Sequence, residues 1–248
     1  MNPVLLVTGG SRGIGAATAL LAAQRGYAVA VNYAANENAA DDVVQQIRAG
    51  GGSAFSVQAD VARQEQVMAM FKTIDTQVGR LTALVNNAGV VDVAQRVDEM
   101  SVERLKRMFD INVLGSFLCS REAVLRMSTR HGGIGGNIVN LSSVAARLGG
   151  AGQYVDYAAS KGAIDSFTVG LAKEVALEGI RVNAVRPGII ETDIHASGGQ
   201  PDRARQMAPV VPLQRAGSAL EVAQAILWLL SDESSYTTGS LLDVAGGR

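Results

Sequence analysis

The chain has 248 residues, 48% of them apolar and 18% charged, with a formal net charge of −1. That composition can bury a large core, and it excludes a disordered chain and a strongly basic binder of nucleic acid or anionic membrane. The single cysteine, Cys119, excludes an intrachain disulfide and a thiolate metal centre; it is expected in the core, and no metal site is expected.

Short apolar runs alternate with helical stretches. Val4–Val7 predicts a strand buried on both faces, ended by Thr8-Gly9-Gly10. Residues 13–25 predict a helix, Ala28–Val31 a second strand, and 37–49 a helix stopped by Gly50-Gly51-Gly52. Ala54–Val57 predicts strand three. The helix 63–78 sets Val67, Met70, Phe71, Ile74 and Val78 on one buried face, and Gly79 closes it. Leu81–Val85 predicts strand four, and 101–130 one long helix capped by Ser101. Asn137–Leu141 is strand five, the Tyr157 helix runs to about Glu178, and Ile180–Val185 is strand six. Ser218 and Glu221 form a capping box for a helix through Leu230, and Leu241–Val244 is the last strand.

This alternation demands right-handed crossovers and a doubly wound parallel sheet with helices on both faces. Only 191–216, with His195, Gly198-Gly199, Pro201, Pro209 and Pro212, shows no clear pattern. Such a stretch in a compact chain is expected to be a lid. The N-terminus shows no basic segment followed by an apolar one, and no run of eighteen apolar residues occurs, so a soluble cytoplasmic protein is expected.

Two local patterns carry chemistry. Gly9-Gly10-Ser11-Arg12-Gly13-Ile14-Gly15 joins the first strand to the first helix. Glycines there let the backbone approach a pyrophosphate, and the helix N-terminus supplies free amides, so a dinucleotide is expected. An acid at the end of the second strand would bind the ribose hydroxyls of NAD; Asn32-Tyr33 stands there instead. Arg12 and neutral donors would hold a 2′-phosphate, which favours NADP(H) over NAD(H), with Glu37 the residue that argues against it. Tyr157 and Lys161, four apart on a helix, share one face. A cation beside the phenol is expected to lower its pKa and make it a proton donor and acceptor for a carbonyl or alcohol. Tyr154 has alanine four residues on and is rejected.

Together these segments resemble the short-chain dehydrogenase/reductase family over essentially the whole chain. The motifs come in order: Thr8–Gly15, Asp60-Val61, Asn86-Asn87-Ala88-Gly89, Asn112, Ser143, Tyr157 with Lys161, Pro187-Gly188 and Thr192. The resemblance implies a single-domain Rossmann fold over 1–248 with a sheet of about seven strands. It implies a catalytic set of Asn112, Ser143, Tyr157 and Lys161. Tyr157 would be the general acid or base, Lys161 would tune it and bond the nicotinamide ribose, Ser143 would hold the substrate oxygen, and Asn112 would hold a relay water. Ser143 is preferred to Ser142 because Val and small residues follow it. Cofactor contacts would come from Gly9, Ser11, Arg12, Gly13, Ile14, Gly15, Asn32, Tyr33, Asp60, Val61, Asn86, Ala88, Gly89, Tyr157, Lys161, Pro187, Gly188, Ile190 and Thr192. Asn87 is expected to be structural, and His195 a lid residue.

The activity implied is hydride transfer between NADP(H) and a small carbonyl or secondary alcohol, in a homotetramer. A 3-oxoacyl thioester and a sugar or polyol are the rival substrate classes. Arg121, Arg126 and Arg130 would be the basic patch an acyl-carrier partner needs. A non-catalytic NADP(H)-sensing regulator is the rival function; the presence of both Tyr157 and Lys161 speaks against it.

Overall fold

The computed structural model describes residues 2–248, apart from the side chain of His195. The first half of the chain forms β1 (Val4–Val7), α1 (Gly13–Gln24), β2 (Ala28–Tyr33), α2 (Glu37–Ala49), β3 (Ser53–Gln58), α3 (Gln64–Gln77) and β4 (Ala83–Asn86). Then follow α4 (Val102–Phe109), α5 (Gly115–Met127), β5 (Gly136–Leu141), the short α6 (Ala145–Leu148), α7 (Val155–Val175) and β6 (Ile180–Pro187). Two short helices, α8 (Ile194–Ser197) and α9 (Arg203–Met207), precede α10 (Ala219–Leu230) and β7 (Leu241–Val244).

The strands form one parallel sheet in the order β3-β2-β1-β4-β5-β6-β7, as the alternation of elements predicted. Because strand side chains alternate, each strand feeds two cores. Leu5, Val7, Val29 and Val85 pack against α1, α2 and α10 through Ala19, Val43 and Ile226. Leu6, Leu84 and Ile138 face α3, α5 and α7 through Phe71, Met127 and Val175. A fully buried side chain of this size contributes about 1.5–3 kcal/mol. Cys119 lies in the second core, fully enclosed, as expected. The connections diverge between β1 and β4, and that switch point opens a crevice at the carboxyl ends of the strands.

The local signals hold where caps decide them. Ser101 Oγ accepts the Arg104 amide at the start of α4, and the Ser218/Glu221 capping box opens α10. Gly79 takes φ +96° just past α3. Two expectations need correction. The long helix predicted over 101–130 is interrupted by a π-helical turn at Asp110–Leu114 and ends at Met127. An inserted residue of this kind re-aims side chains, and no hydrophobic periodicity announces it. The lid is not irregular throughout: it holds α8 and α9, and Gly217 pins its base by pairing with Ile189 and Glu191 at 2.9 Å each.

Candidate active site

The turn between β1 and α1 is built around close backbone approach. Gly13 has φ +54°, a left-handed conformation that a side chain would strain. A Cβ on Gly15 would fall on the Gly9 carbonyl oxygen and 2.5 Å from Asn87 Nδ2, so α1 can dock only with glycine there. Asn87 has the expected structural part, donating to the Thr8 and Gly9 carbonyls at 2.9 Å each. The amides at the start of α1, at Gly13, Ile14 and Gly15, have no intrahelical acceptor. This cradle fits a pyrophosphate. Arg12 is the exposed N-cap of α1 and has no ion pair among the described residues.

Several residues expected to touch a cofactor are turned inward. Asn32 is 1% exposed; its Oδ1 accepts the Gly9 amide and its Nδ2 donates to the carbonyls of Tyr33, Val57 and Ala59. Its amide therefore braces the glycine turn and is not offered to a ligand. Asn86 is buried too, donating to Asn140 Oδ1 at 2.8 Å and Ser120 Oγ at 2.9 Å, in a polar cluster beneath the sheet end. Val61 is a core side chain pressed against Gly115. The Tyr33 ring is in the core; burial first, then the neighbouring Glu37 carboxylate, pushes its pKa up. Asp60 stays at the rim, accepting the Ala62 amide at 3.0 Å. Ala88 packs over Gly9 and donates its amide to Thr8 Oγ1.

Beyond the turn, a cleft of about 440 Å³ is lined by Ile14, Gly89, Ser143, Tyr157, Lys161, Pro187, Gly188, Ile190 and Thr192, among others. The size suits a small molecule. Thr192 touches the position a Cβ on Gly13 would occupy, so the lid base closes over the turn. Tyr157 and Lys161 project from α7 on one face, as their spacing predicted. Ser143 neighbours the Tyr157 hydroxyl and its Oγ accepts the Ala145 amide at 3.1 Å, whereas Ser142 Oγ is spent on the Lys161 carbonyl at 3.2 Å. Lys161 Nζ is buried and donates to the Leu141 carbonyl at 2.6 Å. Asn112, aimed inward by the π turn, accepts the Val90 amide at 2.8 Å and donates to Ser160 Oγ at 3.1 Å. Asn112 Oδ1 and Lys161 Nζ flank Gly89 at 3.4 and 3.6 Å from where a Cβ would stand.

The electrostatics differ from the sequence expectation. Burial pushes the Tyr157 phenol up, and only the neighbouring Ser143 hydroxyl pulls it down. Lys161 does not lower it, because its ammonium is directed at the Leu141 carbonyl and lies 5.6 Å from the ring centre. Burial instead lowers Lys161 to about 8, with the Asp165 carboxylate opposing. Desolvation here outweighs the pair's mutual attraction.

The start of α7 is fixed by an ion pair no motif revealed. Arg104 Nε meets Asp156 Oδ2 at 2.8 Å with both side chains almost fully buried, and Asp156 Oδ1 accepts the Tyr157 amide at 2.9 Å. Arg104 also reaches the Val93 carbonyl and Gln95. Tyr154, Gln153, Arg203 and Met207 line the cleft and were likewise missed. The expected Arg121, Arg126 and Arg130 patch does not exist as free charge. Arg126 pairs with Asp75 at 2.7 Å and Glu122 at 3.0 Å, Arg121 with Glu122, and Arg130 with Glu178. All three lie on α5 or just past it, where the chain leads into the start of β5, at the end of the sheet opposite the cleft. The side chain of His195 lies outside the described residues.

Comparison with known proteins agrees with this geometry. The family model described as enoyl-(acyl carrier protein) reductase matches residues 9–248. An uncharacterized oxidoreductase of Escherichia coli K12, YgfF, is 58% identical over 99% of both chains. A 3-oxoacyl-[acyl-carrier-protein] reductase of Staphylococcus aureus is 39% identical, covering 100% of this chain and 98% of its own. The crystal structure of a short-chain type dehydrogenase/reductase from Mycobacterium marinum superposes with a TM-score of 0.92 at 34% identity, over 99% of this chain and 94% of that one. The sheet order, the glycine turn and these relatives agree, and the chain belongs to the short-chain dehydrogenase/reductase family of oxidoreductases.

Proposed function

We propose that the protein is an NADP(H)-dependent reductase of a small carbonyl substrate, with Tyr157 as its proton donor. The observation that carries this is the meeting of Ser143, Tyr157 and Lys161 in one cleft beside the left-handed glycine turn. A nicotinamide cofactor held along that turn supplies the hydride. Ser143 holds the substrate oxygen and Tyr157 gives it a proton. Burial keeps the phenol protonated near neutrality, the state in which it can give a proton to a carbonyl oxygen. Lys161, with Asn112 beside Gly89, replaces that proton from solvent. Pro187, Gly188, Ile190 and Thr192, on the cleft wall, would hold the nicotinamide.

The choice of NADP(H) rests on Arg12, whose guanidinium is uncommitted at the turn. The neutralised Arg121, Arg126 and Arg130 argue against an acyl-carrier partner docking there, and the similarity to an acyl-carrier reductase supports carbonyl reduction more than a particular acyl chain. The chain acts as one NAD(P)-binding domain in a cytoplasmic homotetramer. Support for assembly comes from exposed apolar residues near α5 and α7: Phe109, Leu114 and Phe117, the last stacked on Phe167 at 3.8 Å. Among the described residues, no helix is long and apolar enough to cross a membrane.

The test is Tyr157→Phe. NADPH consumption with a panel of ketones, oxoacyl thioesters, quinones and sugars should fall roughly 10²–10⁴-fold, while NADPH affinity holds within a few-fold. Unchanged turnover would remove the phenol from the mechanism.

A further inference from the structure

The far wall of the cleft bears a charge the hydride chemistry does not use. Its lining contains two arginines besides Lys161, Arg203 and Arg248, and no aspartate or glutamate. Among the described residues neither guanidinium forms an ion pair. Arg203 begins α9, in the lid. Its neighbour in sequence, Asp202, is taken by Arg205 at 3.0 Å.

Arg203 is held and aimed. Its guanidinium lies over the Tyr154 ring, 5.1 Å from the centroid. Nη1 donates to Gln200 Oε1 at 2.6 Å and Nη2 to Gln153 Oε1 at 3.2 Å. Both acceptors are neutral amides, so the charge is fixed in place without being cancelled. A guanidinium carries five N–H donors, and two bonds leave three for a ligand. Tyr154, the N-cap of α7 three residues before Tyr157, lines the same cleft, so the cation and the phenol face one cavity. The rest of the wall is largely apolar: Val144, Leu148, Ile189, Ile194 and Met207. A planar, always-charged fork in such surroundings favours a carboxylate or phosphate held by two N–H bonds.

We infer that the substrate is a small anionic carbonyl compound whose carboxylate or phosphate group, lodged in the same cleft as the reacting carbonyl, is bound by Arg203 when the lid is in place. This rests on the carbonyl-reductase reading of the same cleft. It sets the substrate apart from an acyl thioester on a carrier, which has no anion so near its carbonyl, and from a neutral sugar or polyol. It also gives the 191–216 segment a role in selection, since α9 delivers the cation that recognises the substrate.

The experiment compares α- and γ-oxo acids with their methyl esters and with the matching oxoalkyl phosphonates. Turnover is followed with NADPH, and binding by calorimetry on the same cofactor-saturated protein. For the wild type, kcat/KM and affinity should favour the acid over its ester by roughly 10- to 100-fold, the effect of bonds to a charged partner. In Arg203→Met that ratio should collapse towards one, and Arg203→Lys should keep part of it. Preference for the phosphonate over the carboxylate would identify a phosphate-bearing substrate. Equal use and equal binding of acid and ester by the wild type, or a preference that survives Arg203→Met, overturns the inference. If no carbonyl is reduced but acid binding still depends on Arg203, the hydride-transfer reading falls and the anion site stands. If esters are reduced with no acid preference, the reverse holds.

Discussion

Replacing Lys161 by methionine should abolish turnover and yet make the protein harder to unfold at neutral pH. The lysine is 5% exposed, and burial lowers its pKa from 10.5 to about 8. That lowering corresponds to about 3 kcal/mol held against the fold while the group is protonated in both states. The sign follows from proton counts. Between the two values the unfolded chain binds more protons than the native one, so stability rises with pH; below about 8 the penalty is complete. Methionine removes the penalty but leaves the Leu141 carbonyl without its 2.6 Å donor, which costs about 1–3 kcal/mol. The variant should therefore gain up to about 2 kcal/mol at neutral pH. Raising the pH to about 9.5 relieves roughly 2 kcal/mol of this penalty in the wild type alone, so the gain should vanish or reverse. Denaturant unfolding of both proteins at the two pH values reads this directly, since other titrating groups are common to both and cancel. A stability difference independent of pH would refute the claim that desolvation governs this lysine.

Arg12→Ala should weaken NADPH binding about ten-fold or more and leave NADH within a few-fold, by fluorescence titration; equal losses would count against a 2′-phosphate contact. Gly15→Ala should weaken both dinucleotides and cost about 1–3 kcal/mol in chemical unfolding, because the added methyl collides with the Gly9 carbonyl and Asn87. Asp156→Ala leaves Arg104 buried without its partner and should cost about 3–5 kcal/mol, with kcat reduced as the start of α7 loosens. Cys119, whose thiol burial pushes up to about 12, should be inert to a thiol reagent at pH ~8 until the protein is unfolded; rapid native labelling would contradict its enclosure.

Much of the molecule follows from local rules. Buried apolar runs of four residues or so separated by amphipathic helices leave few options but a doubly wound parallel sheet, and the sheet order bears this out. Caps at Ser101 and Ser218 and the stop at Gly79 act within a few residues, so they are readable from the chain. The i, i+4 spacing of Tyr157 and Lys161 sets them on one face by helix geometry alone.

What the sequence could not decide depends on neighbours distant along the chain. Whether Asn32 and Asn86 face a ligand or the interior is settled by acceptors on other strands and helices, and both amides turn inward. The π turn that aims Asn112 has no periodic signature. Charge is the clearest case. Arg126 is neutralised by Asp75, fifty-one positions away, while Arg203 meets two neutral amides and the face of Tyr154. The tertiary structure reverses the expected direction of the Tyr157 shift, because the free energy of a buried charge is fixed by the solvent it loses and the dipoles it gains through space, and neither is written in the order of residues.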